Sequence, residues 1–233
     1  MSDMSLARAD PMPSGDSPSL GRISRTSLHE TIVGRLRDMI IEGALPAGTR
    51  LHEGQLGEQL GISRTPLREA IKYLASEGLV ELVPSRGAVV RRFGRKDVHD
   101  MLVVIRTLEN LAGRLACAAA SAAGIAMVRA AHDAMVERYR AGDRLAYYKL
   151  NQEIHTRIVE LADNAALAHV HAGLQMRLKR VRFVGHEGPE KWAAAVAEHE
   201  EMIAALERRD GDALAEVLAR HLSRAWERVE DTL

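Results

Sequence analysis

Two short runs of β-forming residues constrain the fold of this chain most, because the rest of the sequence has mainly helical periodicity. The runs cover residues 79–83 and 88–92, and the turn-forming sequence Pro-Ser-Arg-Gly joins them. Three segments with apolar residues at helical spacing precede the runs, at 28–42, about 53–60 and 63–78. Three helices followed by a small hairpin predict a winged helix-turn-helix.

The remainder of the chain, from about residue 97 to the end, is predicted to be entirely helical. Turn-forming residues divide it into six helices, at about 97–121, 124–141, 143–162, 165–184, 189–209 and 211–231. The fold class is therefore mainly α, with a β-hairpin wing near the N-terminus and a C-terminal bundle of six helices. We expect a disordered tail rich in Ser, Pro and Gly at 1–25, a winged helix-turn-helix domain at 26–94 and a helical domain at 95–233.

Composition favours a cytoplasmic protein that is not attached to a membrane. The single cysteine, Cys117, has no intramolecular disulfide partner and is expected to be a small buried residue. The most apolar run, 115–128, is mostly alanine and is too short to span a bilayer. The N-terminus lacks the apolar core of a secretory signal.

Charge is distributed unevenly although the chain has no net charge. Residues 61–96 contain eight Lys or Arg and three Glu, whereas residues 97–233 contain 18 basic and 21 acidic residues. A basic segment on a mildly acidic body suits binding to phosphate groups. Within the predicted wing, Arg86 would supply charge, and Gly87 would let the backbone approach the DNA closely.

The segment that begins at Ser63 has the features of a DNA-recognition helix. Ser63 suits the N-cap of a helix that has Pro66 in its first turn. Arg64 and Arg68 are four residues apart and share a helical face, where arginine can bind guanine edges or phosphates. Ser63 and Thr65 can hydrogen-bond phosphates. The alternative is a surface helix with solvated arginines, but the order of helices, turn and wing favours DNA binding.

Three histidines and an asparagine are expected to face the core of the helical domain. Asn151 and His155 are four residues apart, so they share one helical face. His199 lies eleven residues before the turn at Asp210 and His221 eleven after it, so each is ~16 Å from that turn. The two would be neighbours in an antiparallel helix pair. Spacing alone leaves a metal site and a cluster of hydrogen-bonded core histidines equally supported. The other histidines are expected to be surface or structural residues: His29, His52, His99, His132, His169, His171 and His186.

The N-terminal part resembles the GntR family of bacterial transcription regulators. The resemblance covers 28–92 and is strongest in LHEGQLGEQLGISRTPLREAIKYLASEGLVELVPSRGAVV, where the SRTPLREA recognition helix and the wing are similar to those of the FadR-type branch. It implies DNA contacts at Ser63, Arg64, Thr65, Arg68 and Gly87. This chain departs from some relatives at Gly54, where they have a basic residue that touches DNA.

Residues 97–233 resemble the FCD ligand-binding domain of FadR-type regulators. The pieces that match are IRTLENLAGRLA, NQEIHTRIVELADN and EHEEMIAALERRDGDALAEVLARHL. The resemblance implies a divalent metal, beside a small carboxylate effector, with ligands at Asn151, His155, His199 and His221. Zinc is the first expectation, with Ni, Mn or Fe as alternatives. The resemblance implies that Arg106 pairs with the effector carboxylate. Alternatively, Arg106 forms an ion pair with Glu109 or is solvated.

The resemblance implies a homodimeric repressor that reads a palindromic operator and responds to the effector. The six predicted helices suggest the shorter, VanR-like variant. A neutral Asn in place of Asp would weaken the metal site. Two alternatives remain: the same regulator with a metal-free histidine cluster, and a metal-dependent hydrolase. The hydrolase needs a general base, but no glutamate is expected beside the cluster, because Glu153, Glu198 and Glu200 fall on other faces.

Overall fold

The computed structural model describes residues 28–185, 189–230 and 233, with side chains described for 28–183, 193–230 and 233. The predicted tail at 1–25 lies outside the described residues. The N-terminal part contains, in chain order, α1 (Leu28–Glu42), β1 (Arg50–Leu51), α2 (Glu53–Leu60), α3 (Arg64–Ser76), β2 (Val80–Val83) and β3 (Gly87–Val90).

The predicted winged helix-turn-helix is confirmed, with one strand that the sequence did not reveal. The strand order is β1-β3-β2, and both pairings are antiparallel. The hairpin register places Leu82 opposite Ala88, and Arg50 of β1 pairs with Val89. Strand β1 has only two residues, which is too short for an alternating pattern to be visible in the sequence.

The three N-terminal helices form around their own apolar core. Leu36 of α1 and both Leu67 and Leu74 of α3 are fully buried, and Leu56 of α2 and Val90 of β3 pack into the same cluster. This core fixes the opposite face of α3, and with it the wing, at the surface of the molecule.

The C-terminal part contains the six predicted helices: α4 (Arg95–Ala119), α5 (Ala122–Arg140), α6 (Arg144–Leu161), α7 (Ala165–Gly185), α8 (Pro189–Glu207) and α9 (Gly211–Val229). Side chains of Ser121, Asp143 and Asp210 accept hydrogen bonds from backbone amides in the first turns of α5, α6 and α9. Gly113 allows α4 to approach α9 closely, because a Cβ atom there would lie 3.0 Å from Leu218 Cδ1.

Helix α7 of the bundle packs against α1 of the winged helix. The Arg180 guanidinium donates a hydrogen bond of 2.8 Å to the Ile40 carbonyl oxygen, and Lys149 Nζ lies 2.7 Å from Asp38 Oδ2. Ile41 packs with the buried rings of Tyr148 and Phe183. Polar and apolar contacts therefore connect the two parts of the chain. Among the described residues, none of the helices combines the length and apolarity needed to cross a membrane.

Candidate nucleic-acid interface and candidate metal centre

The N-terminus of α3 is exposed and carries the residues predicted to contact DNA. Ser63, Arg64, Thr65 and Arg68 are all exposed, whereas Leu67 on the opposite face is fully buried. Ser63 occupies the predicted N-cap position with extended backbone, but its hydroxyl makes no capping hydrogen bond. Because Ser63 is exposed and its hydroxyl does not cap the helix, the start of α3 is accessible to an anion such as a DNA phosphate.

Arg68 is held in place by Glu53 at the start of α2. Its Nη2 lies 2.7 Å and its Nε 3.1 Å from Glu53 Oε2, a two-bond contact. The hydrogen bond from Arg68 lowers the pKa of the Glu53 carboxyl. Both groups are largely solvated, so this pair positions the arginine more than it stabilises the fold. Arg64, one turn earlier, lies on the same exposed face.

The wing tip projects from the hairpin as predicted from its turn sequence. Pro84, Ser85, Arg86 and Gly87 are exposed. The backbone φ angle is +76° at Gly87 and +62° at Ser85, a region that residues other than glycine rarely adopt. The positive φ at 87 therefore favours glycine there for the geometry of the turn itself.

His155, His199 and His221 meet in the core of the bundle, on α6, α8 and α9. All three are 0% exposed, and their ring centroids lie 5.0–5.1 Å apart. One ring nitrogen from each falls within 4.8 Å of the other two. The predicted level match of the histidines on α8 and α9 is therefore present, and α6 adds the third. This spacing suits three imidazole ligands around one ion.

Several polar atoms at this cluster are buried without a hydrogen-bond partner among the described residues. They are Nε2 of His155, Nε2 of His221, and both side-chain polar atoms of Asn151, which is 0% exposed and one turn before His155. Buried polar groups are normally paired, because an unpaired one costs about 1–3 kcal/mol. The two imidazole Nε2 atoms and Asn151 Oδ1 fit a cation that accepts nitrogen and oxygen ligands, whereas the Asn151 amide nitrogen is a hydrogen-bond donor and would not be a ligand.

Two buried glutamates orient the histidine rings, contrary to the expectation that no glutamate lies beside the cluster. Glu198 Oε2 is 2.6 Å from His221 Nδ1, and Glu109 Oε2 is 2.7 Å from His155 Nδ1. Glu198 does diverge from its neighbour His199, but it points across to the adjacent helix α9. Because a carboxylate accepts hydrogen bonds, each Nδ1 carries a proton, and Nε2 is then the nitrogen that a neutral ring would offer to a metal.

These contacts and burial shift the pKa values of two members of the cluster. Burial acts to raise the pKa of Glu109, but its bonds to His155 and His171 outweigh burial and hold the pKa well below its usual range. Burial and the neighbouring His199 and His155 hold the pKa of His221 well below that of free histidine. His221 is thus neutral near pH 7, the form that binds a metal.

Arg106 is not brought to the histidines. It is exposed on α4 and its Nη1 donates a hydrogen bond of 3.3 Å to Ser223 Oγ, in a groove that Trp226 also lines. Its expected alternative partner, Glu109, faces the histidine cluster instead. The buried arginines whose charges act on His221 are Arg228 and Arg182. Sequence reasoning missed both, since neither belongs to the motifs that carry the resemblance.

The remaining histidines occupy varied positions. His171 is buried and its Nε2 lies 2.9 Å from Glu109 Oε1, and His132 is buried near Glu200. His52, His99 and His169 are exposed, and His29 is half-buried against the Tyr73 ring. His186 lies outside the described residues.

A winged helix with an exposed basic recognition helix, joined to a helical bundle with a buried polar centre, is the architecture of a DNA-binding regulator. Comparison with models of known protein families supports the same class of protein. Residues 28–90 match the model of bacterial regulatory proteins of the gntR family, and residues 100–224 match the FCD domain. The chain belongs to the GntR family and carries an FCD domain, as the sequence predicted.

Curated relatives span nearly the whole chain. A probable D-xylose utilization operon transcriptional repressor from Paenarthrobacter nicotinovorans is 31% identical over 206 residues, which cover 87% of this chain and 88% of that protein. The HTH-type transcriptional repressor RspR of Escherichia coli K12 is 25% identical, with 87% and 89% covered. This chain is accordingly a DNA-binding transcriptional regulator and not an enzyme.

Solved structures show the same fold. E. coli McbR/YncC superimposes with a TM-score of 0.77 at 22% identity, covering 88% of this chain and 98% of that chain. A putative GntR regulator from Rhodococcus sp. RHA1 gives a TM-score of 0.74 at 23% identity, covering 88% and 98%.

Proposed function

We propose that this protein is a repressor whose operator binding is controlled by a small carboxylate metabolite held next to a divalent metal. The DNA-binding domain would span 26–94 and the effector-binding and dimerisation domain 95–233. Relatives named as repressors support the direction of regulation. The observation that carries the sensory part of the proposal is the convergence of three buried histidines whose ring nitrogens lie within 4.8 Å of one another.

The proposed metal ligands are His155, His199, His221 and Asn151. Imidazole nitrogens with one amide oxygen suit zinc best, although nickel, manganese or iron would also be accepted. Such an ion would supply a positive charge and open coordination positions for a carboxylate. Three neutral rings and a neutral amide leave the ion's charge uncompensated by direct ligands, which favours an anionic effector as an additional ligand.

Buried arginines near the histidines would bind the effector carboxylate. Arg182 is 0% exposed and donates hydrogen bonds to Gln152 Oε1 and Gln175 Oε1, at 3.2 and 2.7 Å. Arg228 lies near Glu198, with its Nη1 3.9 Å from Oε2. Both guanidinium groups lie close enough to the histidines to influence the pKa of His221. We therefore prefer Arg182 and Arg228 over the exposed Arg106 as partners of the effector.

On DNA, Ser63, Arg64, Thr65 and Arg68 would enter the major groove, while Arg86 and Gly87 of the wing would contact the backbone or the minor groove. A homodimer would place two copies of α3 on the halves of a palindrome. Effector binding would then favour one spacing of the two recognition helices over another. Selection of bound sequences from a random duplex pool tests the palindromic operator. The expected outcome is an inverted repeat among the bound sequences.

Metal content of the untagged protein, measured by mass spectrometry, tests the sensory site. Near-stoichiometric metal in the wild type, lost in His199→Ala/His221→Ala and retained in His169→Ala, is the expected result, because His169 is exposed on α7. A folded wild type that takes up no metal from supplied divalent ions, with or without carboxylates, would contradict the metal site. The same regulator with a structural histidine cluster would then be the correct interpretation.

A further inference from the structure

A second candidate binding site lies at the junction of the winged helix and the bundle, away from the histidine cluster. A cavity of about 400 Å³ opens between the end of α1, the segment after β3 and the outer face of α7. That volume is at the lower end of the range for small-molecule sites. Four arginines line it: Arg91, Arg92, Arg177 and Arg180.

The arginines are held in place by uncharged groups. Arg180 donates to the Ile40 carbonyl oxygen at 2.8 Å, and Arg92 lies 3.4 Å from the Ala47 carbonyl oxygen. The Arg91 guanidinium is 5.1 Å from the centre of the Phe93 ring. These contacts orient the side chains while leaving their positive charges uncompensated.

Arg177 is the least satisfied of the four. It is three residues before Arg180 on α7, so both lie on one helical face. Its Nε is buried and has no hydrogen-bond partner among the described residues. It packs against Gly78, where a Cβ atom would lie 3.0 Å from that Nε. A glycine at 78 therefore leaves room for this guanidinium at the cavity wall.

No carboxylate in the described part of the chain forms an ion pair with any of the four arginines. By contrast, Arg37, Arg68, Arg95 and Arg129 each contact a glutamate. Burial also lowers the pKa of Arg180. Arg177 and Arg180 are half-buried, whereas Arg91 and Arg92 are exposed. Like charges gathered at one cavity repel one another, and an anion with more than one charge would reduce that repulsion.

The other walls of the cavity are apolar, formed by side chains that include Ile40, Leu79, Phe93 and Val181. A purely inorganic anion would leave these surfaces exposed to water. A cavity with guanidinium groups on one side and apolar surface on the other suits a ligand that has a charged head and a small organic body.

We propose that this junction binds a small organic phosphate, with the guanidinium groups around the phosphate. Because Ile40 and Leu79 belong to the winged helix and Arg177 and Arg180 to α7, the occupant would contact both parts of the chain. It would thereby restrict their relative orientation and give the regulator a second input. The proposal goes beyond the metal-linked effector and uses none of the residues of the histidine cluster.

Calorimetric titration of the full-length protein with glycerol 3-phosphate tests the proposal. The test variant is Arg91→Gln/Arg177→Gln, since neither guanidinium donates a hydrogen bond to the described residues and the fold should tolerate their loss. Arg140→Gln, an exposed arginine at the end of α5, is the matched control. We expect saturable binding by the wild type and the control, and about tenfold or greater weakening in the double variant.

Three further measurements keep the outcome decisive. If His199→Ala/His221→Ala still binds glycerol 3-phosphate, the probe binds away from the histidine cluster. If this variant no longer binds the probe, the proposed site at the junction is wrong. Circular dichroism of the double variant checks its fold, and Arg177→Lys, which keeps the charge, should retain most of the affinity.

The proposal is wrong if the wild type shows no saturable binding at millimolar probe, or if the double variant binds as the wild type does. It is also wrong if the double variant leaves probe binding unchanged but weakens salt-dependent binding to a non-specific DNA duplex. In that case the arginines serve DNA phosphates.

Discussion

Replacing Glu198 by glutamine tests whether the buried carboxylates exist to orient metal ligands. Glu198 is 1% exposed and its Oε2 lies 2.6 Å from His221 Nδ1. Glutamine has nearly the same shape but lacks the negative charge that makes the imidazole a stronger donor to a metal. Loss of such a partner typically lowers metal affinity 10–100-fold, which corresponds to about 1.4–2.7 kcal/mol.

The affinity is measured by zinc competition against a chromophoric chelator. Glu201→Gln is the matched control, since Glu201 lies three residues later on α8, is exposed, and forms an ion pair with Arg220 on α9. Because Glu198 also contacts Arg224 and lies near Arg228, the metal-free variant should unfold at a lower temperature, so the metal-induced rise in Tm is compared for each protein separately.

We expect Glu198→Gln to show weaker zinc binding and a smaller metal-induced rise in Tm, with Glu201→Gln indistinguishable from the wild type. Unchanged zinc affinity in a folded Glu198→Gln protein would refute the orienting role. Equal losses in both variants would show that general negative charge, and not the hydrogen bond to His221, attracts the ion.

Four other substitutions probe the rest of the molecule. Arg64→Ala should weaken DNA binding, measured by fluorescence-anisotropy titration. If Arg64 contacts a phosphate, the slope of log K against log salt should also fall by about 1. An unchanged slope and affinity would show that Arg64 does not contact DNA. Burial lowers the pKa of Lys179, so its charged form is disfavoured in the folded state, and Lys179→Met should stabilise the protein near pH 7 by about 1 kcal/mol in urea unfolding. Because the folded pKa lies below the unfolded one, this advantage should shrink as pH rises towards the unfolded pKa, and an advantage that grows with pH would contradict the assignment. Gly113→Ala should destabilise the protein by about 1–3 kcal/mol, because the new methyl group clashes with Leu218. Gly173→Ala on α7, where a methyl group meets open space, should stabilise the protein by up to about 1 kcal/mol. Equal Tm shifts in the two variants would be inconsistent with close packing of α4 against α9.

The order of elements could be predicted because its signals are local. Helical periodicity, turn-forming residues and the hairpin turn each depend on a few neighbouring residues, and the six helices of the bundle follow the predicted divisions closely. The two-residue strand β1 was missed, since it exists only through its pairing with β3. Its hydrogen bonds join residues almost forty positions apart, and no local pattern marks them.

The histidine cluster could be predicted in part, because the face and level of His199 and His221 follow from helix geometry. The carboxylates that contact the cluster, Glu198 and Glu109, could not be predicted. Judged from its own helix, Glu198 points away from His199, and only the packing of α8 against α9 turns it towards His221. Glu109 was considered only as a partner of Arg106, yet it lies 2.7 Å from His155 on another helix.

By itself, then, the sequence determined the class of fold, the family, the exposed recognition helix and the histidines of the candidate centre. Only the tertiary structure decided which buried charges meet them, that Arg106 lies outside the centre, and that four arginines gather where α7 meets the winged helix. The physical reason is that periodicity specifies which face of a helix is buried, whereas a hydrogen bond or an ion pair depends on the rotation and height of each helix against its neighbours. Those are set by the packing of the whole core.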